Sequence, residues 1–310
     1  MKLSIVTTLY QSENYIFDFH QKASAAAKQL VGEDYEIILV NDGSPDHSLD
    51  FAIQLTEGDS HVVTVDLSRN FGHHKAMMTG LAQTKGALVF LIDSDLEEDP
   101  QWLLDFAKTM ESETSDVVYG IQSKRKGGFF EQITGSLFYR TFRFFTGVKQ
   151  PNNIVTARLM SQRYVQALLL HQERELNIGG LWIITGFKQC AQVIHKTSTS
   201  PTSYSFSRKL GHLVNAITSF SSLPLVFAFY SGLLISLSAL GYIIYLIIRY
   251  LFIAAPLSGY TSLITSVWFF SGLMIFFIGI QGIYISKIFS EVKQRPNTII
   301  RHIYQNYREQ

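Results

Sequence analysis

The chain is expected to fold as an α/β domain, a sheet covered by helices, that runs on into an apolar helical hairpin. Short apolar runs alternate with helix-compatible segments through its first half. Polar residues gather directly after several of those runs. Two long stretches in its last third carry no charge.

Residues 3–8, 35–40, 62–67 and 87–92 are apolar, rich in β-branched side chains and bounded by turn residues, the pattern of buried strands. A shorter run of the same kind covers residues 117–119. Between them, residues 15–30, 48–57 and 74–84 suit helices. Strand and helix in alternation predict a parallel sheet with helices on both faces.

Composition narrows the function. The 310 residues hold 26 basic and 25 acidic side chains, so no cationic surplus marks a general nucleic-acid binder. The single cysteine, Cys190, forms no intrachain disulfide and reads as core.

Residues 227–248 and 264–286 are free of charge, and each exceeds the roughly 20 residues that cross a bilayer core. A pair of buried helices in a soluble domain seldom stays uncharged over such lengths. Arg208 and Lys209 precede the first stretch, while Lys287, Lys293, Arg295, Arg301 and Arg308 follow the second. The intervening turn is uncharged apart from Arg249 near its start. Positive flanks belong in the cytoplasm, so both long flanks are expected there and the hairpin turn outside. The N-terminal residues MKLSIVTTLY have no long apolar core, which argues against a signal peptide.

This gives a cytosolic domain over 1–206, a juxtamembrane amphipathic helix over 207–222, a two-helix transmembrane hairpin over 223–290 and a cytosolic tail over 291–310. Within the first, residues 128–147 are aromatic-rich with Arg140 and Arg143, as in an amphipathic helix on a bilayer surface. A core-packing helix has the same composition.

Open sheets of this kind receive ligands beyond the carboxyl ends of their strands. The segments there are 10–13, 41–44, 68–70 and 93–95. In the last, Asp93 and Asp95 follow the apolar run LVFLI. Two carboxylates so close repel each other unless a cation intervenes, and Mg²⁺ or Mn²⁺ commonly bridges such a pair to substrate phosphates. A solvated acidic turn is the plainer reading. Asn41-Asp42-Gly43-Ser44 follows EIILV in the same way. Gly43 lets backbone approach a ligand and Asp42 can accept hydrogen bonds from a base or ribose. A strand-to-helix loop capped by Ser44 or Asp46 would look alike. His73-His74 invites a metal reading, but adjacent residues rarely share one ligand set.

The runs SIVTTLY, EIILVNDGSPD, VDLSRNFGHHKAMMTGL and LVFLIDSDLEEDP, in this order, resemble the family 2, GT-A-type glycosyltransferases. More narrowly, they resemble bacterial polyprenyl-phosphate glycosyltransferases related to dolichol-phosphate mannose synthase. The likeness continues through RLMS at 158–161, ITSFSSLPL at 217–225, the two apolar stretches and EVKQRP at 291–296.

The resemblance implies a Rossmann-like nucleotide-sugar domain, Mg²⁺ or Mn²⁺, a nucleotide sugar donor with a UDP-sugar favoured, and polyprenyl (undecaprenyl) phosphate as acceptor. The chain would then lie in the bacterial inner membrane with its catalytic domain facing the cytoplasm, serving cell-envelope or O-antigen glycans. Relatives of this kind can assemble as homo-oligomers. By the same resemblance, Asp42 binds the nucleobase, helped by Tyr10 and Glu13. Asp93 contacts ribose or metal, Asp95 ligates the metal, and Arg69, Asn70 and Arg125 line the donor side. Arg158, Arg140, Arg143 and Lys209 are candidates for the acceptor phosphate.

One departure matters. Relatives carry a GDFRLMS-like segment whose Asp has an active-site role, and here Thr156 stands in its place, in VTARLMS. Threonine is no carboxylate base. Either Glu98, Asp99, Glu173 or Glu175 substitutes, or no base is needed. A phosphomonoester has a second pKa of about 6 and is mostly ionised at pH 7, so it attacks without giving up a proton. A sugar hydroxyl normally needs general-base help. Transfer to a sugar hydroxyl of a lipid-linked oligosaccharide, and a degenerate membrane scaffold, are the competing readings.

Overall fold

The computed structural model describes residues 1–122, 153–174, 177–195, 214, 217–218, 221–253 and 259–306. In chain order the elements are β1 (Leu3–Leu9), α1 (Ile16–Val31), β2 (Tyr35–Asn41), α2 (Ser48–Gly58), β3 (Val62–Leu67), α3 (His73–Ala82), β4 (Leu88–Leu91) and α4 (Trp102–Glu113). Then follow β5 (Val117–Gln122), β6 (Ile154–Ser161), α5 (Gln162–Leu169), α6 (Ile178–Ile184), β7 (Gln189–Ile194), α7 (Leu223–Ile253), α8 (Tyr260–Val292) and β8 (Ile300–Gln305). The chain divides into two units, one holding the sheet and α1–α6, the other α7 and α8.

In the first unit the sheet runs β7-β5-β6-β4-β1-β2-β3-β8. Its centre is parallel, as the alternation of strands and helices requires: β1 pairs in parallel with β2 and β4, and β2 with β3. Every residue of β1 and β2 is buried, consistent with helices on both faces. Helix α1 buries Ile16, Phe19, Ala23, Ala26 and Ala27, one face at helical spacing, against the strands. Gly80 of α3 has no side chain to spare: a Cβ there would fall 2.6 Å from Val6 Cγ1 and 2.7 Å from Val40 Cγ2. Its absence lets α3 lie close on β1 and β2.

The sheet is mixed rather than parallel throughout. β6 runs antiparallel between β4 and β5, and β8 runs antiparallel along β3. β6 escapes a reading from hydropathy because Arg158 interrupts its apolar run. β8, IRHIYQ, lies in the 291–310 segment expected as a cytosolic tail, for which no strand was foreseen. Its partners are over 200 residues earlier, so nothing local announces it.

In the second unit α7 is 31 residues long and α8 33. Among the described residues one stretch, Ser266–Val292, is long and apolar enough to cross a membrane, with a mean hydropathy of 1.8. Leu223–Ile235 is apolar over a shorter length. Two equivalent spans were expected, and by length and composition one meets the requirement. The Tyr284 hydroxyl donates to the Ser221 carbonyl at 2.6 Å, tying α8 to the approach to α7. The amphipathic segment 128–147 and most of 207–222 lie outside the described residues.

Candidate active site

The loops after β1, β2, β3 and β4 meet at one end of the sheet, and short side chains knit them together. After β1, Gln11 takes a left-handed φ of 55°. Its N–H reaches Ser44 Oγ at 2.7 Å, and the Ser12 N–H reaches Ser48 Oγ at 2.9 Å. The Glu13 N–H donates to Asp46 Oδ2 at 3.2 Å, while Glu13 Oε2 accepts the His47 N–H at 3.1 Å. Glu13 thus caps the approach to α2, and Tyr10 stands exposed at the mouth. Burial alone would raise the Asp46 carboxyl; the hydroxyls of Ser44 and Ser48 outweigh it and hold it low.

After β2, Asp42 is buried and its carboxylate faces the loop after β3. Oδ1 accepts the Phe71 N–H at 2.7 Å and Oδ2 the Gly72 N–H at 3.0 Å. Burial pushes this carboxyl above its ordinary range in spite of the two N–H groups. Gly43 has a φ of 61°, and a Cβ there would overlap the Asn70 nitrogen and the Arg69 backbone. Only glycine allows this approach. Asp42 therefore shapes the 69–72 loop. Arg69 and Asn70 are exposed on it, and the Arg69 guanidinium lies 4.2 Å from the Phe71 ring centre.

The Asp93-Ser94-Asp95 turn follows β4. Ser94 Oγ donates to the Thr8 carbonyl at 3.0 Å, which anchors the turn to β1. Asp95 Oδ1 accepts the Glu97 N–H at 3.0 Å, and Leu96 turns the chain with a φ of 60°. His73, at the start of α3, joins this turn to β1. Its Nδ1 is 2.9 Å from Thr8 Oγ1 and its Nε2 3.3 Å from Asp93 Oδ1. Burial alone would lower the imidazole; Asp93, with Asp42 and Glu98 contributing charge, outweighs it and raises it above its ordinary value. The sequence drew attention to His73 only as half of an adjacent histidine pair. Its partner is a carboxylate at the end of another strand.

β6 forms the next wall. Glu98 is 0% exposed, and its two oxygens accept the N–H groups of Thr156 at 3.1 Å and Ala157 at 2.8 Å. Of the carboxylates considered as a base in place of the missing aspartate, Glu98 is thus committed to holding β6 at the very position where that aspartate is absent. Asp99 accepts the Gln101 N–H at 3.0 Å at the start of α4, the Glu173 carbonyl accepts from Asn297 Nδ2 at 3.3 Å, and Glu175 lies outside the described residues.

Arg158 is 1% exposed. Nε donates to the Thr156 carbonyl at 3.2 Å and Nη2 to the Val155 carbonyl at 3.3 Å, with the guanidinium over the Trp182 ring. Burial pushes it down to about 9, which leaves it cationic at neutral pH. It supplies a fixed positive charge behind the wall. Trp182, on α6, was not picked out from the sequence.

Among the described residues no group of three or more histidine, cysteine, aspartate and glutamate side chains could hold a metal ion. Asp93 and Asp95 supply two hard oxygen donors on one turn, which suits Mg²⁺ or Mn²⁺ when substrate phosphates complete the shell. The donor set therefore fits an ion that arrives with a diphosphate. Arg125, Arg140, Arg143 and Lys209 lie outside the described residues.

Known proteins bear on this arrangement. A "Putative glycosyltransferases" protein of Mycobacterium tuberculosis is 50% identical over 98% of this chain and 89% of its own length. An SfII prophage-derived bactoprenol glucosyl transferase of Shigella flexneri is 32% identical over 97% of this chain and 98% of its own. Among solved structures, TarS of S. aureus in complex with UDP aligns with a TM-score of 0.47 and 17% identity, covering 71% of this chain and 65% of that one. A sequence model of glycosyl transferase family 2 matches residues 4–169, which hold β1–β6 and the Asp42, His73, Asp93, Asp95 and Thr156 positions. The chain is a glycosyltransferase and belongs to glycosyl transferase family 2.

Proposed function

We propose that the chain transfers a sugar from a nucleotide diphosphate sugar, with a UDP-sugar favoured, to polyprenyl phosphate at the cytoplasmic leaflet of the bacterial inner membrane. One observation carries the choice of acceptor. The position of the expected aspartate is Thr156, and the carboxylate beside it, Glu98, is bound to the Thr156 and Ala157 amides. A site arranged this way suits a nucleophile that arrives already ionised, as a phosphomonoester does at neutral pH. The name of the Shigella flexneri relative, a bactoprenol glucosyl transferase, supports the same reading.

In this mechanism an acceptor phosphate oxygen forms the new bond to the anomeric carbon. The bond from that carbon to the donor diphosphate breaks, and the nucleoside diphosphate leaves with the electron pair. Attack from the face opposite the leaving group inverts the centre. The 69–72 loop, held by Asp42, receives the nucleotide with Tyr10 at the mouth. Asp93 and Asp95 would hold Mg²⁺ or Mn²⁺, which supplies charge neutralisation to the departing diphosphate. Arg158 adds a fixed positive charge beside β6.

The course of the chain supports a membrane hairpin. β8 follows α8 yet belongs to the same sheet as β1–β4, so a single crossing would put β8 on the wrong side of the bilayer from its partner strand. Two crossings, by α7 and α8, keep it with the sheet. In length both helices exceed the roughly 20 residues that a span needs, while among the described residues the apolar requirement is met over Ser266–Val292 and, over a shorter length, Leu223–Ile235.

The test uses full-length protein in detergent with a panel of nucleotide sugars and two acceptors, undecaprenyl phosphate and a lipid-linked oligosaccharide. Sugar is expected on the phosphate lipid, with stoichiometric nucleoside diphosphate release. Transfer only to the oligosaccharide would overturn the acceptor, and no turnover with any donor would leave a scaffold.

A further inference from the structure

The strand that follows the hairpin carries an arginine to the back of the donor loop. β3 and β8 pair regularly from Val63–Gln305 to Asp66–His302, then the register shifts and Leu67 pairs with Ile300. Arg301 is the extra residue of that bulge. In an unbroken ladder the neighbour of His302 would point to the face opposite Asp66. A bulge re-aims a side chain, and Arg301 reaches Asp66: Nη1 lies 3.3 Å from Asp66 Oδ2.

Asp66 is 1% exposed. Its Oδ1 accepts from Asn41 Nδ2 at 2.8 Å, and its Oδ2 is buried without a hydrogen bond, so Arg301 is the charge that answers it. Arg301 Nη2 also donates to the Ser68 carbonyl at 2.7 Å, and the Ser68 N–H donates to the Ile299 carbonyl at 2.9 Å. Ser68 begins the loop whose other end, Phe71 and Gly72, is held by Asp42. Thr298 Oγ1 lies 2.7 Å from Thr79 Oγ1 of α3, the helix that presents His73. The loop is therefore clamped at both ends, by Asp42 at Phe71 and Gly72 and by the post-hairpin strand at Ser68.

We propose that Arg301 is a positioning residue for the nucleotide sugar: by neutralising Asp66 and fastening Ser68, it holds the 68–72 loop in its donor-receiving form. The proposal rests on the donor reading above. Removing Arg301 leaves a buried carboxylate unanswered, and loop and donor affinity suffer together.

The experiment measures UDP and nucleotide-sugar binding, KM and kcat on full-length protein in detergent, for wild type, R301M, R301K and the double variant D66N/R301M. Hydrogen exchange at the amides of residues 68–72 is read alongside. R301M is expected to weaken donor binding and raise the donor KM about tenfold, with kcat within about twofold and faster exchange confined to the loop. R301K is expected to recover part of the loss, and the double variant to outperform R301M, since it removes the unanswered charge. If R301M is too unstable to purify, R301K and the double variant carry the test. Wild-type donor KM and loop exchange in folded R301M would overturn the proposal, as would a double variant that binds donor no more tightly and exchanges its loop amides no more slowly than R301M. Should wild type itself bind no nucleotide, the donor reading fails, an outcome distinct from an Arg301 variant matching an active wild type.

Discussion

Replacing Glu98 with glutamine changes one atom of a buried side chain and leaves its shape alone. In the wild type each carboxylate oxygen accepts one β6 amide, from Thr156 at 3.1 Å and Ala157 at 2.8 Å. Glutamine keeps one carbonyl oxygen and turns an NH₂ toward the other amide, so one buried N–H loses its acceptor. That costs about 1–3 kcal/mol. For a domain of this size each kcal/mol lowers the melting temperature by roughly 2–4 °C, so a drop of about 2–12 °C is expected. Because the same contact fixes Thr156, the residue at the position of the expected aspartate, turnover is expected to fall about ten- to a hundredfold. Scanning calorimetry, a turnover assay and hydrogen exchange at the Thr156 and Ala157 amides read the three effects. An E98Q protein with wild-type melting and unchanged exchange would refute the tether. Normal melting with complete inactivity would mean that Glu98 handles a proton after all.

Asp95→Asn removes a charged oxygen donor from an accessible turn and is expected to abolish turnover in Mg²⁺ or Mn²⁺ while melting stays within about 0.5 kcal/mol of wild type; retained activity would take Asp95 out of the site. Thr156→Ala keeps the amide that Glu98 binds, so the rate is expected within about threefold of wild type, and a loss of general-base size, about a hundredfold or more, would implicate the hydroxyl. The Arg163 guanidinium, aided by Ser161, holds the Asp116 carboxyl below its ordinary range. A carboxyl depressed on folding contributes stability that is present above the unfolded value of about 3.9 and lost as pH falls through the lower folded value. Asp116→Asn is therefore expected to melt lower than wild type at pH 7, with the gap closing below about pH 4; a gap that widens in acid would contradict the sign.

The centre of the sheet was legible because burial on both faces leaves strands with nearly unbroken apolar runs, as in β1 and β2. The polar loops after them were legible too, since ligands enter where such strands end. β6 was read as a chemical motif and missed as a strand, because Arg158 hides its charge against Trp182 and backbone carbonyls rather than at a surface. Glu98 looked like a spare base; its tie to β6 spans 58 positions and has no local signature. His73 and Arg301 were out of reach for a related reason. Each takes its meaning from a carboxylate on a different strand, Asp93 and Asp66, and pairing across a sheet leaves no periodicity in the sequence.

The position of β8 has a consequence for how the protein is made. A ribosome delivers the chain from its N-terminal end at about 5–20 residues per second, so β1–β4 emerge first. The free side of β3 then waits, unpaired, while both long helices are synthesised. An open strand edge invites pairing with the wrong partner. That side of β3 is covered only once residues 300–305 appear, and with them the arginine that answers Asp66. Assembly of the sheet is thereby timed to follow synthesis of the apolar half, and the newly made chain acquires its fully clamped 68–72 loop last.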